Sequence, residues 1–178
     1  IKAWVATRGD PHAPPFLLID APERIAALAR SIGIDIPVRT VASAAEASAV
    51  FRDALPVLPI DVPRPAIPGR PDGANAAAVV AAIDRAVALC VAGESSGVVT
   101  NPINKESLYA AGFRHPGHTE YLAELAGGVP VEMMLASPEL RVVPMTIHEA
   151  LRDAIGHITT DAAVSYTHLR AHETDSYL

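Results

Sequence analysis

Apolar runs that end in polar residues constrain the fold of this chain most. Residues 97–100 form one such run, which passes into a polar, proline-containing loop that ends at Lys105. A Gly-His-Thr turn at 117–119 precedes a predicted helix, and another apolar run over 140–147 ends at His148. In α/β proteins, ligands bind beyond the carboxyl ends of the strands. Histidines at two such places indicate a binding site rather than a core.

The composition favours an α/β fold with a buried parallel sheet. Half of the 178 residues are hydrophobic and only 4% are aromatic, so the core is built from Ala, Val, Leu and Ile. Such residues are typical of parallel strands that are covered by helices on both faces. The residues at 137–139 allow a hairpin between two later apolar runs. We therefore expect a three-layer α/β/α fold with a mostly parallel, partly mixed sheet.

Hydrophobic spacing and helix-stop residues place the elements along the chain. A proline-rich segment, 61–72, is predicted to be a surface connection or arm. The helix predicted at 74–91 has one apolar face, made of Val79, Ile83, Val87 and Cys90. The predicted strands lie at 16–19, 37–41, 57–60, 97–100, 131–136 and 140–147, and the other predicted helices at 1–8, 22–32, 43–53, 105–111 and 119–126.

Charge and cysteine content narrow the class of partner. The formal net charge of -6 disfavours a nucleic-acid partner, although a small anionic substrate stays possible. The single cysteine, Cys90, excludes an internal disulfide and a cysteine-cluster metal site. The longest apolar run, 76–91, is rich in alanine and interrupted by Asp84 and Arg85, which favours a buried helix over a membrane span. We expect a cytoplasmic protein without a membrane partner.

Four residues are candidates for a functional site. His148 follows a predicted strand and could bind a divalent metal, or it could be a structural histidine. His118 and Thr119 stand where a helix begins, and helix N-termini bind anions; Thr119 is also expected to cap this helix. Lys105 could pair with a phosphate or carboxylate, or be an ordinary surface lysine. His115 is expected to be exposed to solvent.

The last residues do not fit the rest of the chain. Residues 164–178 lack the alanine-rich pattern and are similar to a translated sequencing adapter. We therefore expect them to be non-native, and the pair His168 and His172 is not taken as a metal site. The usual dinucleotide, Walker A and nucleophile-elbow motifs are absent from the sequence, so they support no function.

Four blocks of sequence, in order, resemble the 4-hydroxythreonine-4-phosphate dehydrogenase family of pyridoxal phosphate biosynthesis. They are residues 98–105, 116–122, 133–142 and 146–153. The resemblance spans 1–163 and implies part of a two-domain architecture like that of isocitrate and isopropylmalate dehydrogenases. The chain would be an incomplete N-terminal part of the enzyme, truncated at both ends and contributing to both domains.

The resemblance also implies an activity and a division of roles. Family members oxidise and decarboxylate 4-phosphooxy-L-threonine to 3-amino-2-oxopropyl phosphate with NAD (or NADP) and a divalent metal, which would be zinc, magnesium or cobalt. His118 and Thr119 would bind the substrate near its phosphate or amine. His148 would be one of three histidine metal ligands, and we expect it on a common rim with the 117–119 turn. The other two ligands would lie further along the chain, in a homodimer that shares its sites.

Two alternatives stay open on the sequence alone. The intact protein could be a related dehydrogenase that acts on a four-carbon sugar-acid phosphate or a cyclic diol acid. The chain could instead be a non-catalytic, truncated α/β fragment. The resemblance also implies that the fragment by itself is inactive, because two metal ligands and most of the NAD contacts would lie outside it.

Overall fold

A computed structural model describes residues 1–146, 149–164 and 166–167. The chain divides into two compact units, Ile1–Gly127 and Gly128–Leu178. Two of the sequence predictions fall outside the described residues. These are the metal ligand at His148 and most of the adapter-derived tail, including His168 and His172.

A three-stranded parallel sheet lies at the centre of the first unit. Its strands are β1 (Leu18–Asp20), β2 (Val38–Thr40) and β3 (Leu55–Pro59). The order is β1-β3-β2, so the last strand in sequence is central and pairs with both others. Central position explains why the first four residues of β3 are all buried.

Six α-helices and a 3-10 helix, Gly73–Asn75, accompany this sheet in the first unit. Most of the α-helices begin or end at residues that the sequence indicates. Pro22 stands in the first turn of its helix, where its missing N–H costs no hydrogen bond. At the start of a second helix, the Ser43 hydroxyl oxygen accepts a hydrogen bond of 3.2 Å from the Glu46 N–H, and the Glu46 carboxylate accepts one of 2.8 Å from the Ala42 N–H. Gly33 follows the first of these helices with φ +72°, which favours glycine. The helices are α1 (Lys2–Thr7), α2 (Pro22–Ser31), α3 (Ala44–Val50), α4 (Ala76–Val91), α5 (Lys105–Ala110) and α6 (His118–Leu125).

The two faces of the sheet are covered by different helices, which makes three layers. On one face, Leu55 and Val57 pack with Trp4 of α1, Ile25 of α2 and Phe51. On the other face, the buried cluster is formed by residues from the sheet, α3 and α4: Val41, Ala47, Leu58 and Leu89. Alternation of side chains along the strands sends them to opposite faces. The predicted α/β/α fold class is confirmed.

Trp4 joins α1 to the body of this unit. Its side chain is 1% exposed, and its indole Nε1 donates a hydrogen bond of 2.7 Å to the carbonyl oxygen of Phe51. Phe16 meets the Phe51 ring edge to face, with 5.0 Å between centroids. A six-residue helix has little stability of its own, so α1 depends on tertiary contacts. Trp4 makes the largest of these, beside the packing of Ile1 on the same cluster and a hydrogen bond from Arg52 to the Arg8 carbonyl oxygen.

The predicted strand at 97–100 is absent. These residues are irregular, and Val99 is fully exposed. A strand needs a partner for its backbone groups, but this segment lies across a cleft from the edge strand β1 instead of pairing with it. An apolar run cannot by itself distinguish a paired strand from an unpaired segment.

The buried face of α4 differs from the predicted face. Ile83 and Val87 are buried as expected, but Val79 is 37% exposed and Cys90 is only partly buried. Leu89 is buried instead, because α4 packs against two partners, the sheet and α6. Among the described residues, Gly73–Val91 is the one helical stretch long and apolar enough to cross a membrane. Core helices of globular proteins can be equally long and apolar, and α4 packs on the sheet through Leu89.

The second unit contains a short hairpin and a helix. Strands β4 (Leu135–Ala136) and β5 (Arg141–Val142) pair antiparallel, and α7 covers Leu151–His157. Residues 160–164 are also helical. The hairpin was expected, but its strands are shorter than the apolar runs. Parallel and antiparallel pairing therefore both occur, in separate sheets of the two units.

Candidate functional site

The first unit contains a cleft of about 710 Å³ at the carboxyl end of β1. One wall is formed by β1 and the start of α2, and another by α4 and the segment 97–103. The lining is mostly apolar, with a few polar side chains that could orient a ligand. These polar residues include Asp20, Arg24, Asn75, Thr100, Asn101 and His118.

Asp20 and Arg24 form an ion pair on one wall of this cleft. The Asp20 Oδ1 atom accepts hydrogen bonds of 2.7 Å from the Ala21 N–H and from Arg24 Nε, while Oδ2 pairs with Arg24 Nη2. The hydrogen bond to Asp20 raises the pKa of Arg24, although partial burial opposes the rise. The sequence analysis missed this pair. Its signal was an acid at the end of an apolar run, with a base four residues later.

His118 is brought into the cleft by the start of α6. The helix begins at His118, and Gly117 occupies the N-cap position in an extended conformation, with no side-chain cap. The imidazole is half-buried and lines the cleft. Thr119 is exposed in the first turn, so the prediction that it caps α6 is wrong. The helix starts one residue earlier than expected, because Gly117 takes the cap position.

Lys105 lies beside the same turn. It is the first residue of α5, whose N-cap Asn104 accepts a hydrogen bond of 2.8 Å from the Ser107 N–H. A Cβ atom built on Gly117 would lie 4.0 Å from Lys105 Nζ and 3.5 Å from Glu120 Oε2. The structure therefore brings together the Lys105 ammonium and the residues of the 117–119 turn. It also places one carboxylate, that of Glu120, at the edge of this group.

Three rings behind the turn hold α6 in place. The centroid of His115 lies 5.1 Å from that of Phe113 and 4.8 Å from that of Tyr121. His115 Nε2 is also 3.6 Å from Glu124 Oε2. The expectation that His115 is exposed to solvent is wrong: it is half-buried, since neighbouring rings cover its faces.

The Tyr121 hydroxyl donates a hydrogen bond to Asp84 Oδ1 on α4. Burial and then the interaction with the Asp84 carboxylate raise the pKa of Tyr121 to about 12. The phenol therefore stays protonated, and able to donate this hydrogen bond, to a higher pH than an ordinary tyrosine. Neither residue was a candidate in the sequence analysis, because the two are separated by 37 positions.

The residues described do not amount to a complete metal site. No group of three His, Cys, Asp or Glu side chains within the described ranges could hold a metal ion. The role of His148, and its place on a common rim with the 117–119 turn, stay predictions.

The sequence and the fold both match one group of proteins. The sequence model described as "Pyridoxal phosphate biosynthetic protein PdxA" matches residues 12–177. A 4-hydroxythreonine-4-phosphate dehydrogenase from Bradyrhizobium diazoefficiens is 45% identical over 188 aligned residues, which cover 99% of this chain and 54% of the relative. One from Methylorubrum populi is 49% identical, over 85% of this chain and 45% of the relative.

Solved structures agree with the sequence comparison. A 4-hydroxythreonine-4-phosphate dehydrogenase from Klebsiella pneumoniae superposes with a TM-score of 0.75 at 28% identity, covering 89% of this chain and 50% of that one. The enzyme from Burkholderia phymatum gives a TM-score of 0.71 at 34% identity, covering 82% and 44%. The chain thus spans about half the length of the curated relatives it matches. By the extent of these matches, the chain belongs to the PdxA family of pyridoxal phosphate biosynthetic proteins.

Proposed function

We propose that the full-length protein is an NAD-dependent (or NADP-dependent) 4-hydroxythreonine-4-phosphate dehydrogenase. It would act as a cytoplasmic homodimer with a divalent metal, and this chain would supply part of its substrate site. The support is family membership together with the enzyme names of relatives that are 45% and 49% identical. The observation on which the proposal depends is the half-buried His118, which lines a cleft at the carboxyl end of a parallel strand.

The 117–119 turn and Lys105 are suited to an anionic group of the substrate. The first N–H groups of a helix lack partners and carry positive potential, and α6 has no side-chain cap to occupy them. The Lys105 ammonium adds a full charge close to Gly117. We therefore assign the phosphate of the substrate to this turn. Glu120 would limit the affinity, since its carboxylate repels the same anion.

His118 and Thr119 would then orient the rest of the substrate. The imidazole of His118 points to the cleft, while the Thr119 hydroxyl remains exposed at the helix start. Binding one end of a small molecule at fixed donors limits the positions of its reacting carbon. The described residues do not form a complete metal site, so the metal would be held by His148 together with the two histidines that the resemblance places further along the chain.

A chimeric enzyme tests this function. Residues 1–163 of this chain would replace the matched half of the Bradyrhizobium diazoefficiens relative, and NADH formation from 4-phosphooxy-L-threonine would be followed with a divalent metal. We expect turnover by the chimera and none by the isolated chain. A folded chimera that oxidises only a four-carbon sugar-acid phosphate or a cyclic diol acid would contradict the proposed substrate. Turnover by the isolated chain would contradict the expected inactivity of the fragment.

Replacing Gly117 with Ser separates helix stability from anion binding. A serine oxygen at the N-cap position can accept a hydrogen bond from the first turn, so α6 should gain a few tenths of a kcal/mol of stability. The same oxygen would occupy the donors that we assign to phosphate. The chimera should therefore bind substrate more weakly, with KM raised about threefold to tenfold, as expected for losing one modest hydrogen bond.

The control is Gly73→Ser, a glycine-to-serine change away from the turn. Gly73 has an ordinary backbone conformation, and a Cβ atom there would meet only the backbone carbonyl oxygen of Ser107, at 3.7 Å. An unchanged KM in Gly117→Ser, with a raised melting temperature, would show that the helix N-terminus does not bind the substrate.

A further inference from the structure

Tyr121 lies one helical turn after His118 on α6. Residues three positions apart project from the same side of a helix, so the two side chains share a face. His118 lines the cleft, and Tyr121 is 8% exposed and packs in a cluster with Ile83 and Val87 of α4. The face of α6 that carries the substrate-site histidine is therefore the face that contacts α4.

A hydrogen bond fixes the position of this contact. The Tyr121 hydroxyl donates to Asp84, which stands on α4 between the two apolar residues of the cluster. The C-terminal part of α4 is anchored to the sheet, because Leu89 is buried with Val41 and Leu58. A continuous set of contacts thus runs from the sheet through α4 to Tyr121 and the start of α6.

We propose that the Asp84–Tyr121 hydrogen bond is a positioning contact that sets the place of His118 and the α6 N-terminus in the cleft. Neither residue touches the substrate; both act through α6. The inference rests on the proposed function, since it assigns His118 to the substrate.

Apolar packing alone would not define this position. Aliphatic side chains such as Ile83 and Val87 accept small shifts of a ring along the helix at little cost, whereas a hydrogen bond depends on distance and angle. The carboxylate makes the bond a charge-assisted one, which strengthens it. Tyr121→Phe would remove only this bond and keep the ring with its contacts to Phe113 and His115.

The test compares kinetic constants of the chimeric enzyme with and without this bond. We expect Tyr121→Phe to lower kcat/KM about tenfold, mainly through a higher KM, because a displaced binding group weakens substrate binding. Asp84→Ala should give the same loss. Asp84→Asn should recover most of it, because its side-chain oxygen can still accept the hydrogen bond.

Two controls separate positioning from stability. Val87→Ala removes packing from the same cluster but keeps the hydrogen bond, and Tyr109→Phe removes a hydroxyl that makes a weak, exposed bond of 3.4 Å to Pro116. A destabilised enzyme loses active molecules, which lowers apparent kcat and leaves KM unchanged. The proposal predicts a higher KM for Tyr121→Phe. It is overturned if Tyr121→Phe, like Val87→Ala, lowers only the apparent kcat, or if its KM equals that of the unsubstituted chimera.

A second measurement does not need activity. In the isolated chain, Tyr121→Phe should speed amide hydrogen exchange in α6 about tenfold, equivalent to 1.4 kcal/mol, and leave α2 unchanged. If the unsubstituted chimera is inactive, that result counts against the proposed function. The hydrogen-exchange rates would then still show whether the Asp84–Tyr121 hydrogen bond holds α6 in place. Equal exchange in α6 of the two chains would overturn the proposal on its own.

Discussion

Replacing Trp4 with alanine is expected to destabilise the first unit by about 3–5 kcal/mol, the usual cost of removing a large buried aromatic side chain. The indole is 1% exposed and contributes to the cluster that covers one face of the sheet. Its loss also leaves the Phe51 carbonyl without its donor. Domains of this size are commonly stable by only about 5–15 kcal/mol, so a large part of that margin would disappear.

Urea denaturation followed by far-ultraviolet circular dichroism measures this effect. Tryptophan fluorescence cannot be used, because the chain has a single tryptophan. The free energy of unfolding of Trp4→Phe should lie between those of the unsubstituted chain and Trp4→Ala, since phenylalanine keeps most of the packing but loses the hydrogen bond. Val5→Ala is the matched control on the same helix; Val5 is 45% exposed, so its loss should change stability by less than about 0.5 kcal/mol. Equal effects at positions 4 and 5 would contradict the role of Trp4.

The second large effect concerns substrate binding. His118→Ala in the chimeric enzyme should lower kcat/KM between about tenfold and a hundredfold. This range corresponds to the loss of a hydrogen bond to a charged group, about 1.5–3 kcal/mol. Lys105→Ala should act in the same direction through the loss of its charge. Steady-state NADH formation over a range of substrate concentrations gives the two kinetic constants.

Another histidine and the dependence of binding on salt provide the controls for this prediction. His12→Ala removes an exposed histidine from a loop that does not line the cleft, and it should leave both constants unchanged. Raised salt should weaken binding by the unsubstituted chimera more than binding by Lys105→Ala, because salt screens charge interactions. Full activity of His118→Ala would refute the substrate role of the cleft histidine.

Elements whose signals are local were predictable from the sequence. Pro22 and Gly33 bound α2, and Ser43 with Glu46 begins α3, through contacts that span no more than four residues. Because these signals act within one or two helical turns, they operate whatever the rest of the chain does. The strands that alternate with these helices were found within two residues for the same reason. The sequence marked His118, Thr119 and Lys105 as candidates for substrate binding, and the structure brings Lys105 close to the 117–119 turn.

Errors occurred where the packing of side chains and backbone segments in the folded chain decides the outcome. The run at 97–100 has strand-like composition, but pairing depends on a neighbouring strand edge that the sequence does not reveal. His115 looked exposed because proline and glycine follow it, and it is half-buried because Phe113 and Tyr121 cover it. The exposed Val79 of α4 likewise reflects the direction from which α6 and the sheet approach.

The sequence alone therefore determined the fold class, the approximate ends of the early helices and strands, and the turn on which the candidate site residues stand. Those features follow from hydrophobic period, capping residues and proline or glycine placement, which are properties of neighbouring positions. Only the tertiary structure decided that the Asp20–Arg24 pair and His118 line one cleft, and that Tyr121 meets Asp84 across 37 positions. Contacts between distant residues depend on how the helices pack on the sheet, and that packing is a property of the whole unit.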